Sequence, residues 1–234
     1  MVGLIYIGVK HSMDRNMSEI DSTCCLISPA IPSPLFVEGS PVKIGVLASG
    51  SGTNFEAIAQ AIKDQQLNAK IQVLIYNNPD AKVIERAEKF GVKTILLNHR
   101  HYKKREDLDQ AIVQTLQEHD VDWIVFAGWM RIVTQVLVDA FPHKIINLHP
   151  SLLPSFPGIR GVEQALEAQV KITGCSVHLV ELEVDSGPIL MQAAVPILPD
   201  DTPETLHARI QIQEHKILIG AISLVSQWQN GGNG

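Results

Sequence analysis

Short apolar runs alternate with segments of helical period from residue 43 to residue 149, and this alternation limits the possible fold more than any other feature of the chain. Strands that alternate with helices are typical of a parallel, doubly wound α/β sheet with right-handed crossovers. The predicted strands span residues 43–48, 70–76, 93–97, 123–127 and 145–149, and the predicted helices span 55–67, 81–90, 103–119 and 132–141. In such a Rossmann-like sheet, the loops at 49–54 and 128–131 are expected to meet at a switch point.

The pattern changes after residue 149. Residues 172–182 and 189–197 form long β-branched runs separated by a turn with Gly187 and Pro188, which predicts a hairpin-like, partly antiparallel edge. Residues 203–228 repeat apolar side chains at helical spacing, with Thr202 placed as N-cap and Pro203 at the first helical position. The predicted fold class is therefore a doubly wound, mostly parallel sheet with an antiparallel C-terminal edge.

The last parallel strand carries two polar side chains at its end. Alternate side chains of a strand share a face, so Asn147 and His149 point the same way, and Pro150 ends the strand. The carboxyl ends of parallel strands are where open α/β sheets bind ligands. An amide donates to a developing oxyanion, and an imidazole exchanges protons near neutral pH. A strand-end Asn that caps a turn beside a hydrogen-bonded His explains the pair equally well.

Asp185 lies in the loop between the two C-terminal runs, just before Ser186 and Gly187. Beside His149, its carboxylate would orient the imidazole and favour the protonated ring. Turn chemistry accounts for an Asp at this position just as well, and sequence does not show that the two side chains meet.

The turn Ser49-Gly-Ser-Gly52-Thr-Asn54 follows the first strand and precedes a helix for which Thr53 or Asn54 is the predicted N-cap. A glycine turn at a helix N-terminus binds anions through backbone N–H groups. The third glycine of a dinucleotide motif and the Gly-Lys-Ser/Thr of a P-loop are both missing, which favours a phosphate monoester. The alternative is a turn that only lets helix and strand pack.

Composition limits the size of the core, the class of partner and the cellular location. At 234 residues and 45% hydrophobic content the chain can bury one sizeable core, and a net charge of −6 argues against nucleic acid as a partner. Three cysteines without a disulfide or metal pattern fit a cytoplasmic location, and neither a membrane span nor a signal peptide is evident. Residues 1–41 are rich in Pro and Ser near their end, lack a helical period and predict a poorly ordered extension.

Three motifs in sequence order resemble those of the phosphoribosylglycinamide formyltransferases, the folate-dependent GAR transformylases of purine synthesis. They are Asn147-Leu-His149-Pro150-Ser-Leu-Leu-Pro154, Leu47-Ala-Ser-Gly50-Ser-Gly52-Thr-Asn54 and Leu182-Glu-Val-Asp185-Ser-Gly187-Pro188. The resemblance covers about residues 43–227 and implies one formyltransferase domain at 42–230. It also implies that Asn147, His149 and Asp185 are catalytic.

The resemblance also implies two substrate-binding sets. Gly52, Thr53, Asn54 and Glu214 match positions that bind glycinamide ribonucleotide (GAR). Arg105, Met130, Arg131, Ile132, Val133 and Asn147 match positions on the folate side. By pattern alone, Arg105 and Glu214 are ordinary helix charges, and Met130 to Val133 begin a helix. His178 is predicted to be a histidine packed in a strand, although it matches a histidine near the site in the family that the motifs resemble.

The implied reaction moves a formyl group from 10-formyltetrahydrofolate, as co-substrate, to the amino group of GAR, without metal and without ATP. The expected partners are these small molecules, with the chain as monomer or homodimer. Methionyl-tRNA formyltransferases share an Arg-Gly pair after Ser-Leu-Leu-Pro, here Arg160-Gly161 at longer spacing, and formyltetrahydrofolate deformylases share the Asn/His/Asp set. A non-catalytic phosphometabolite-binding protein is the alternative from a different class; an intact Asn147, His149 and Asp185 set argues against it, and a turnover assay decides.

Overall fold

Strand β2 (Val42–Ala48) lies inside the sheet and is buried on both faces. Ile44, Val46 and Ala48 belong to one apolar cluster, whereas Leu47 belongs to a second cluster on the opposite face. Gly45 also faces the second cluster, where an added Cβ would lie 2.4 Å from a methyl carbon of Leu116. Burial on both faces is typical of parallel strands covered by helices on each side.

The computed structural model describes residues 25–33, 35 and 39–229. Its sheet has eight strands in the order β1-β8-β7-β6-β5-β2-β3-β4. The other strands are β1 (Ile27–Ser28), β3 (Ala69–Tyr76), β4 (Thr94–Leu96), β5 (Trp123–Phe126), β6 (Ile145–His149), β7 (Ile172–Leu179) and β8 (Ile189–Pro196). Strands β2 to β6 pair in parallel, and β7, β8 and β1 pair antiparallel. The predicted fold class is confirmed.

Six α-helices are found in the described part of the chain: α1 (Thr53–Lys63), α2 (Val83–Lys89), α3 (Arg105–Glu118), α4 (Gln135–Ala140), α5 (Gly161–Glu167) and α6 (Pro203–Gln229). Helices α1, α2 and α6 pack on one face, and α3 and α4 pack on the other. Helix α5 was not predicted from the sequence, because it is a short helix within a stretch broken by proline and glycine.

Three local predictions were wrong in detail. Helix α1 is preceded by Gly52 as N-cap, in left-handed conformation, with no capping side chain, so neither Thr53 nor Asn54 caps it. The helix predicted from residue 132 begins only at Gln135, which leaves residues 128–134 as a loop. Strand β7 ends at Leu179 rather than at 182. Thr202 does accept the N–H of Thr205, as a cap would.

Part of the predicted 1–41 extension contacts the domain. Strand β1 pairs with β8, and the Leu35 carbonyl accepts from Ser223 of α6 at 2.7 Å. Ile27 and Ile31 pack against the first apolar cluster. These contacts differ from the expectation that the segment lacks any packed pattern. Residues 1–24 lie outside the described part of the chain.

Strands β2 and β5 are neighbours, so the chain reverses its winding direction between them. The loops that follow these strands touch: Ser49 N–H donates to the Gly128 carbonyl at 3.0 Å, and Met130 N–H donates to Ser49 Oγ at 2.9 Å. The switch point that the sequence predicted therefore exists. Within the described residues, no helix is both long and apolar enough to cross a membrane.

Candidate active site

Strand β6 brings Asn147 and His149 to the carboxyl edge of the sheet, beside the switch point. Strand β5 pairs with it in parallel on one side, with Phe126 opposite Asn147. Strand β7 pairs antiparallel on the other side, with His178 opposite Asn147. The Asn147 side chain is therefore positioned by two neighbouring strands, of which β5 runs parallel to β6 and β7 runs antiparallel.

The carboxylate of Asp185 meets both residues of β6. Asp185 Oδ2 lies 3.3 Å from His149 Nδ1 and accepts the Gly158 N–H at 2.7 Å. Asp185 Oδ1 accepts from Asn147 Nδ2 at 3.4 Å and lies 3.5 Å from His178 Nε2. The structure thus brings together the three side chains predicted as catalytic, and adds His178 to them.

Asp185 is held in the charged form. Burial acts to raise the pKa of this carboxyl, but the contacts with His178, the Gly158 N–H and His149 together outweigh it and lower the pKa below its ordinary value. Its backbone has φ 54°, a left-handed conformation that Asp and Asn tolerate better than most residues. Turn geometry and side-chain contacts therefore both favour Asp at this position.

His149 is buried, and each of its ring nitrogens faces an oxygen acceptor. Nε2 lies 2.8 Å from the Phe156 carbonyl, and Nδ1 faces Asp185. A neutral imidazole has one N–H and satisfies only one of these acceptors, whereas an imidazolium satisfies both. The surroundings of His149 therefore offer an oxygen acceptor to each ring nitrogen, and one of the two acceptors is a carboxylate.

The Asn147 amide is already engaged. Its Nδ2 donates to His178 Nε2 at 3.1 Å, while His178 Nδ1 donates to the Leu179 carbonyl at 2.8 Å. The Asn147 amide and the His178 ring therefore belong to one chain of contacts that ends at the Leu179 carbonyl. Among the described residues, the second amide hydrogen has only the long bond to Asp185, which a better-placed acceptor can replace at little cost.

The glycine turn is supported from behind by α2 and α6. Val83 N–H donates to the Gly50 carbonyl, and Arg86 Nε donates to the Ser51 carbonyl at 2.8 Å. On the α6 side, Gln211 donates to Thr53 Oγ1 at 3.0 Å. Gly52 has φ 77°, and a Cβ there would lie 2.9 Å from Val83 Cα, so the turn requires glycine for packing as well as for conformation.

Glu214 is buried in α6, next to the start of α1. Desolvation raises the pKa of this carboxyl to about 7, and a side-chain hydrogen bond from Asn54 opposes the rise. Asn54 Oδ1 is buried and has no hydrogen-bond partner among the described residues. Three of the four predicted GAR-binding positions, Thr53, Asn54 and Glu214, thus lie where α1 meets α6, and Gly52 immediately precedes α1.

The predicted folate-side residues fall into two places. Met130 and Ile132 are largely exposed on the loop 128–134, whereas Val133 is buried and Arg131 is half-buried. Arg105 is exposed at the first position of α3, one turn before Asp109. The Asp109 carboxylate accepts the Thr134 N–H at 2.6 Å and so joins α3 to the end of this loop.

Sequence reasoning did not assign His178, Ser49, Gln211 or Asp109 to the site. His178 was identified as a strand-packed histidine, and only the antiparallel register of β6 and β7 shows that it faces Asn147. Ser49 belongs to the glycine turn. The predicted meeting of the loops 49–54 and 128–131 was the signal that could have identified its contact with the loop 128–134. Gln211 and Asp109 look like ordinary helix positions. Among the described residues, no cluster of three His, Cys, Asp or Glu side chains has the geometry to hold a metal ion.

Comparison with known proteins gives consistent matches. A family model described as formyl transferase matches residues 42–222. Phosphoribosylglycinamide formyltransferase of Bacillus subtilis is 45% identical over 174 residues, which are 74% of this chain and 89% of that protein. The trifunctional purine biosynthetic protein adenosine-3 of Homo sapiens is 40% identical over 199 residues, which are 84% of this chain and 20% of that protein.

The similar solved structures belong to the same kind of protein as the sequence relatives. The crystal structure of glycinamide ribonucleotide transformylase 1 from Symbiobacterium toebii matches with a TM-score of 0.80 at 44% identity, over 81% of this chain and 90% of that one. The family match begins at residue 42, the first residue of β2, so the docked segment that contains β1 lies outside it.

Proposed function

Because the chain belongs to the formyl transferase family, we propose that it transfers a formyl group from 10-formyltetrahydrofolate to the amino group of GAR, a step of purine biosynthesis that yields formyl-GAR and tetrahydrofolate. The resemblance found in the sequence motifs is confirmed by the family match. The observation that carries the proposal is the buried contact of Asp185 with Asn147 and His149 at the carboxyl edge of β6.

The proposed GAR site runs from the glycine turn to α6. Backbone N–H groups of Gly52, Thr53 and Asn54 would bind the phosphate at the start of α1, where the helix dipole favours an anion. Glu214 and the unpartnered Asn54 Oδ1 would accept hydrogen bonds from hydroxyl or amine groups of the ribonucleotide. This arrangement would direct the amino end of the substrate toward β6.

The proposed folate site lies on the opposite side of the switch point. Met130 and Ile132 present apolar surface to solvent, and backbone of Met130 to Val133 would meet the pterin end of the folate. The exposed guanidinium of Arg105 would bind a carboxylate of the same substrate. Asn147 stands between the two proposed sites and would contact the formyl group.

In the proposed reaction, the GAR nitrogen attacks the formyl carbon, a C–N bond forms, and negative charge develops on the formyl oxygen. Asn147 Nδ2 would exchange its long bond to Asp185 for a bond to that oxygen, a contact of a kind that stabilises the transition state by about 3–4 kcal/mol. The bond between the formyl carbon and folate N10 then breaks. The attacking nitrogen loses a proton and N10 gains one.

His149 and Asp185 would manage these protons. With the ring protonated, the pair would hold an imidazolium against a carboxylate, and it would deliver a proton toward N10 and recover one from the attacking ammonium, directly or through water. Asp185 would remain charged through the cycle, because its contacts lower its pKa.

A competition between acceptors tests the proposal. The purified protein is given 10-formyltetrahydrofolate with GAR, with methionyl-tRNA, with water alone, and with all three together. We expect formyl-GAR to form at a rate far above the other two products. Faster release of formate would indicate a deformylase, formylmethionyl-tRNA would indicate a tRNA formyltransferase, and binding of GAR without any turnover would indicate a non-catalytic binding protein.

The proposal also includes the cofactor requirement, the cellular location and the oligomeric state. We expect neither ATP nor a metal ion to be needed, because the formyl donor is already activated. A cytoplasmic location and a monomeric or homodimeric state are expected as well, with no nucleic-acid or membrane partner. Omitting ATP and adding EDTA should therefore leave the rate of formyl-GAR formation unchanged.

A further inference from the structure

The loop 128–134 is attached to the rest of the protein at both ends. At its start, Met130 N–H donates to Ser49 Oγ at 2.9 Å. At its end, Thr134 N–H donates to Asp109 Oδ2 at 2.6 Å. Between these two attachments the chain presents the exposed side chains of Met130 and Ile132.

Asp109 is an unusual residue for its position. It is 3% exposed on the face of α3 that also carries Leu108 and Ile112 into the core. Among the described residues it forms no ion pair within 4 Å, and Arg105 and Glu106 are the charged groups that influence it. Burial raises the pKa of this carboxyl, opposed by the bond from Thr134. An acidic side chain here costs stability that an apolar residue of similar size would not.

We propose that Asp109 is a positioning residue for the folate side of the site, because its carboxylate fixes the far end of the loop 128–134. The inference rests on the proposed function, which places the folate against Met130 to Val133. Thr134 is the N-cap residue of α4, and the Asp109 carboxylate is the group that receives its N–H. Without it, the Ser49 hydrogen bond and the packing of Trp129 and Val133 in the second apolar cluster would still hold the loop, but its far end would lose its side-chain acceptor.

The test compares three variants of the full chain. Asp109→Ala removes the acceptor, Asp109→Leu removes it while filling the space, and Asp109→Asn keeps an amide oxygen that can accept the Thr134 N–H. Asp107→Asn is the matched control, since Asp107 is an exposed acid in the same turn of α3. If Asp109→Ala fails to fold, the comparison of Leu with Asn decides the question.

For Asp109→Ala and Asp109→Leu we expect the KM for 10-formyltetrahydrofolate to rise about tenfold, the loss typical of one buried hydrogen bond to a charged group. The KM for GAR should stay within about twofold, because the glycine turn is not attached to Asp109. Asp109→Asn should recover most of the folate affinity, and Asp107→Asn should behave as the parent. Equal rises in both KM values, or none, would overturn the proposal.

A second measurement does not depend on turnover. Trypsin cuts after Arg131, inside the loop, and after Arg160, whose side chain is 62% exposed on a different loop. Loss of the Asp109 attachment should accelerate cleavage after Arg131 alone. Parallel acceleration at both sites would mean general destabilisation and would overturn the positioning role. A parent that cleaves as expected but forms no formyl-GAR would instead count against the proposed function.

Discussion

At the scale of single residues, Asp185 is the centre of the candidate site. One of its oxygens contacts His149 and the Gly158 N–H, and the other contacts Asn147 and His178. A single carboxylate therefore links the loop after β7 to both β6 and the segment that precedes α5. Its charge and its turn conformation can be separated by substitution, because Asn also tolerates left-handed backbone.

Asp185→Asn should keep the turn and lose the charge. We expect kcat to fall by about 10²–10⁴, the range associated with proton-transfer groups. The pKa of Asp185 is lowered by folding, so its contribution to stability is present at neutral pH and is lost as pH falls through the folded value. The destabilisation of the variant relative to the parent should therefore be largest near pH 7 and shrink below about pH 4.

The measurements are kcat across pH and urea unfolding at pH 3 and pH 7. Glu183→Gln, an exposed acid in the same loop, is the control and should match the parent. An active Asp185→Asn variant with the parent's pH profile would remove Asp185 from the mechanism.

Asn147→Ala should lower kcat by about 10²–10³, because it removes the donor placed for the oxyanion. KM for either substrate should change much less, since the contact strengthens only in the transition state. Steady-state kinetics with a parallel thermal melt checks this. Comparable kcat values for variant and parent would contradict the oxyanion role.

Glu214→Gln should make the protein more stable at high pH. The folded pKa of Glu214 is about 7 and its ordinary value is 4.5, so between these pH values the folded state keeps a proton that the unfolded chain has lost. Stability therefore falls as pH rises through this window, and a Gln variant avoids the loss. We expect the variant to gain of order 3 kcal/mol over the parent above pH 8 and little near pH 5.

Above pH 8, where the parent's Glu214 is ionised, the same variant should bind GAR more weakly, since an ionised acceptor is replaced by an amide. Chemical unfolding at pH 5 and pH 8.5, together with KM for GAR, measures both effects. Glu204→Gln, an exposed acid in the first turn of α6, is the control and should gain no stability at high pH. Identical pH dependence in parent and Glu214→Gln would show that Glu214 titrates normally.

At the scale of elements, the glycine turn between β2 and α1 combines two requirements. Gly52 is packed against α2 and has positive φ, whereas a Cβ at Gly50 would meet no atom within 4 Å. The structural role of the turn therefore depends on Gly52. If a phosphate binds against the turn, the open space at Gly50 is available to it.

Gly52→Ala should lower the melting temperature by several degrees, because the added methyl meets Val83 and the backbone conformation becomes strained. Gly50→Ala should leave the melt unchanged and raise KM for GAR more than KM for the folate. Calorimetry and substrate kinetics on both variants make the comparison. Unchanged KM values in Gly50→Ala would argue for a purely structural turn.

At the scale of the whole molecule, the N-terminal segment completes the sheet. Without β1, strand β8 would be an edge with unpaired backbone groups, such as the Ala194 N–H that now donates to the Leu26 carbonyl at 2.8 Å. Farther along, the segment contacts α6, the helix that carries Glu214. The described part of the segment adds to the matched formyl transferase region without contacting Asn147, His149 or Asp185.

Deleting residues 1–40 should lower the melting temperature by about 3–10 °C and keep kcat within about twofold, since it removes contacts of β8 and α6 but no site residue. Deleting only residues 1–24 removes none of the described contacts and is the control. Differential scanning calorimetry and GAR turnover on both truncations test this. Equal melting temperatures for the 1–40 deletion and the parent would show that the docked segment contributes no stability.

The sequence by itself determined the fold class and which strand end and glycine turn form the candidate site. Strand and helix periods are local properties, so the alternation to residue 149 predicted the parallel core, and the antiparallel edge followed from the long β-branched runs. The proline after His149 and the glycines of the first turn also act locally. They were therefore sufficient to place a polar strand end and a glycine turn at one edge of the sheet.

Only the tertiary structure decided which side chains meet. His178 and Asp185 lie 31 and 38 positions from Asn147, and their contacts depend on the register of β7 and on the turn that follows it. Asp109 has the sequence pattern of a solvated helix charge, yet it is buried because α3 packs where the loop 128–134 ends. Strand β1 is two residues long, and it forms because β8 has an edge with which it can pair. No local pattern in residues 1–41 indicates that partner.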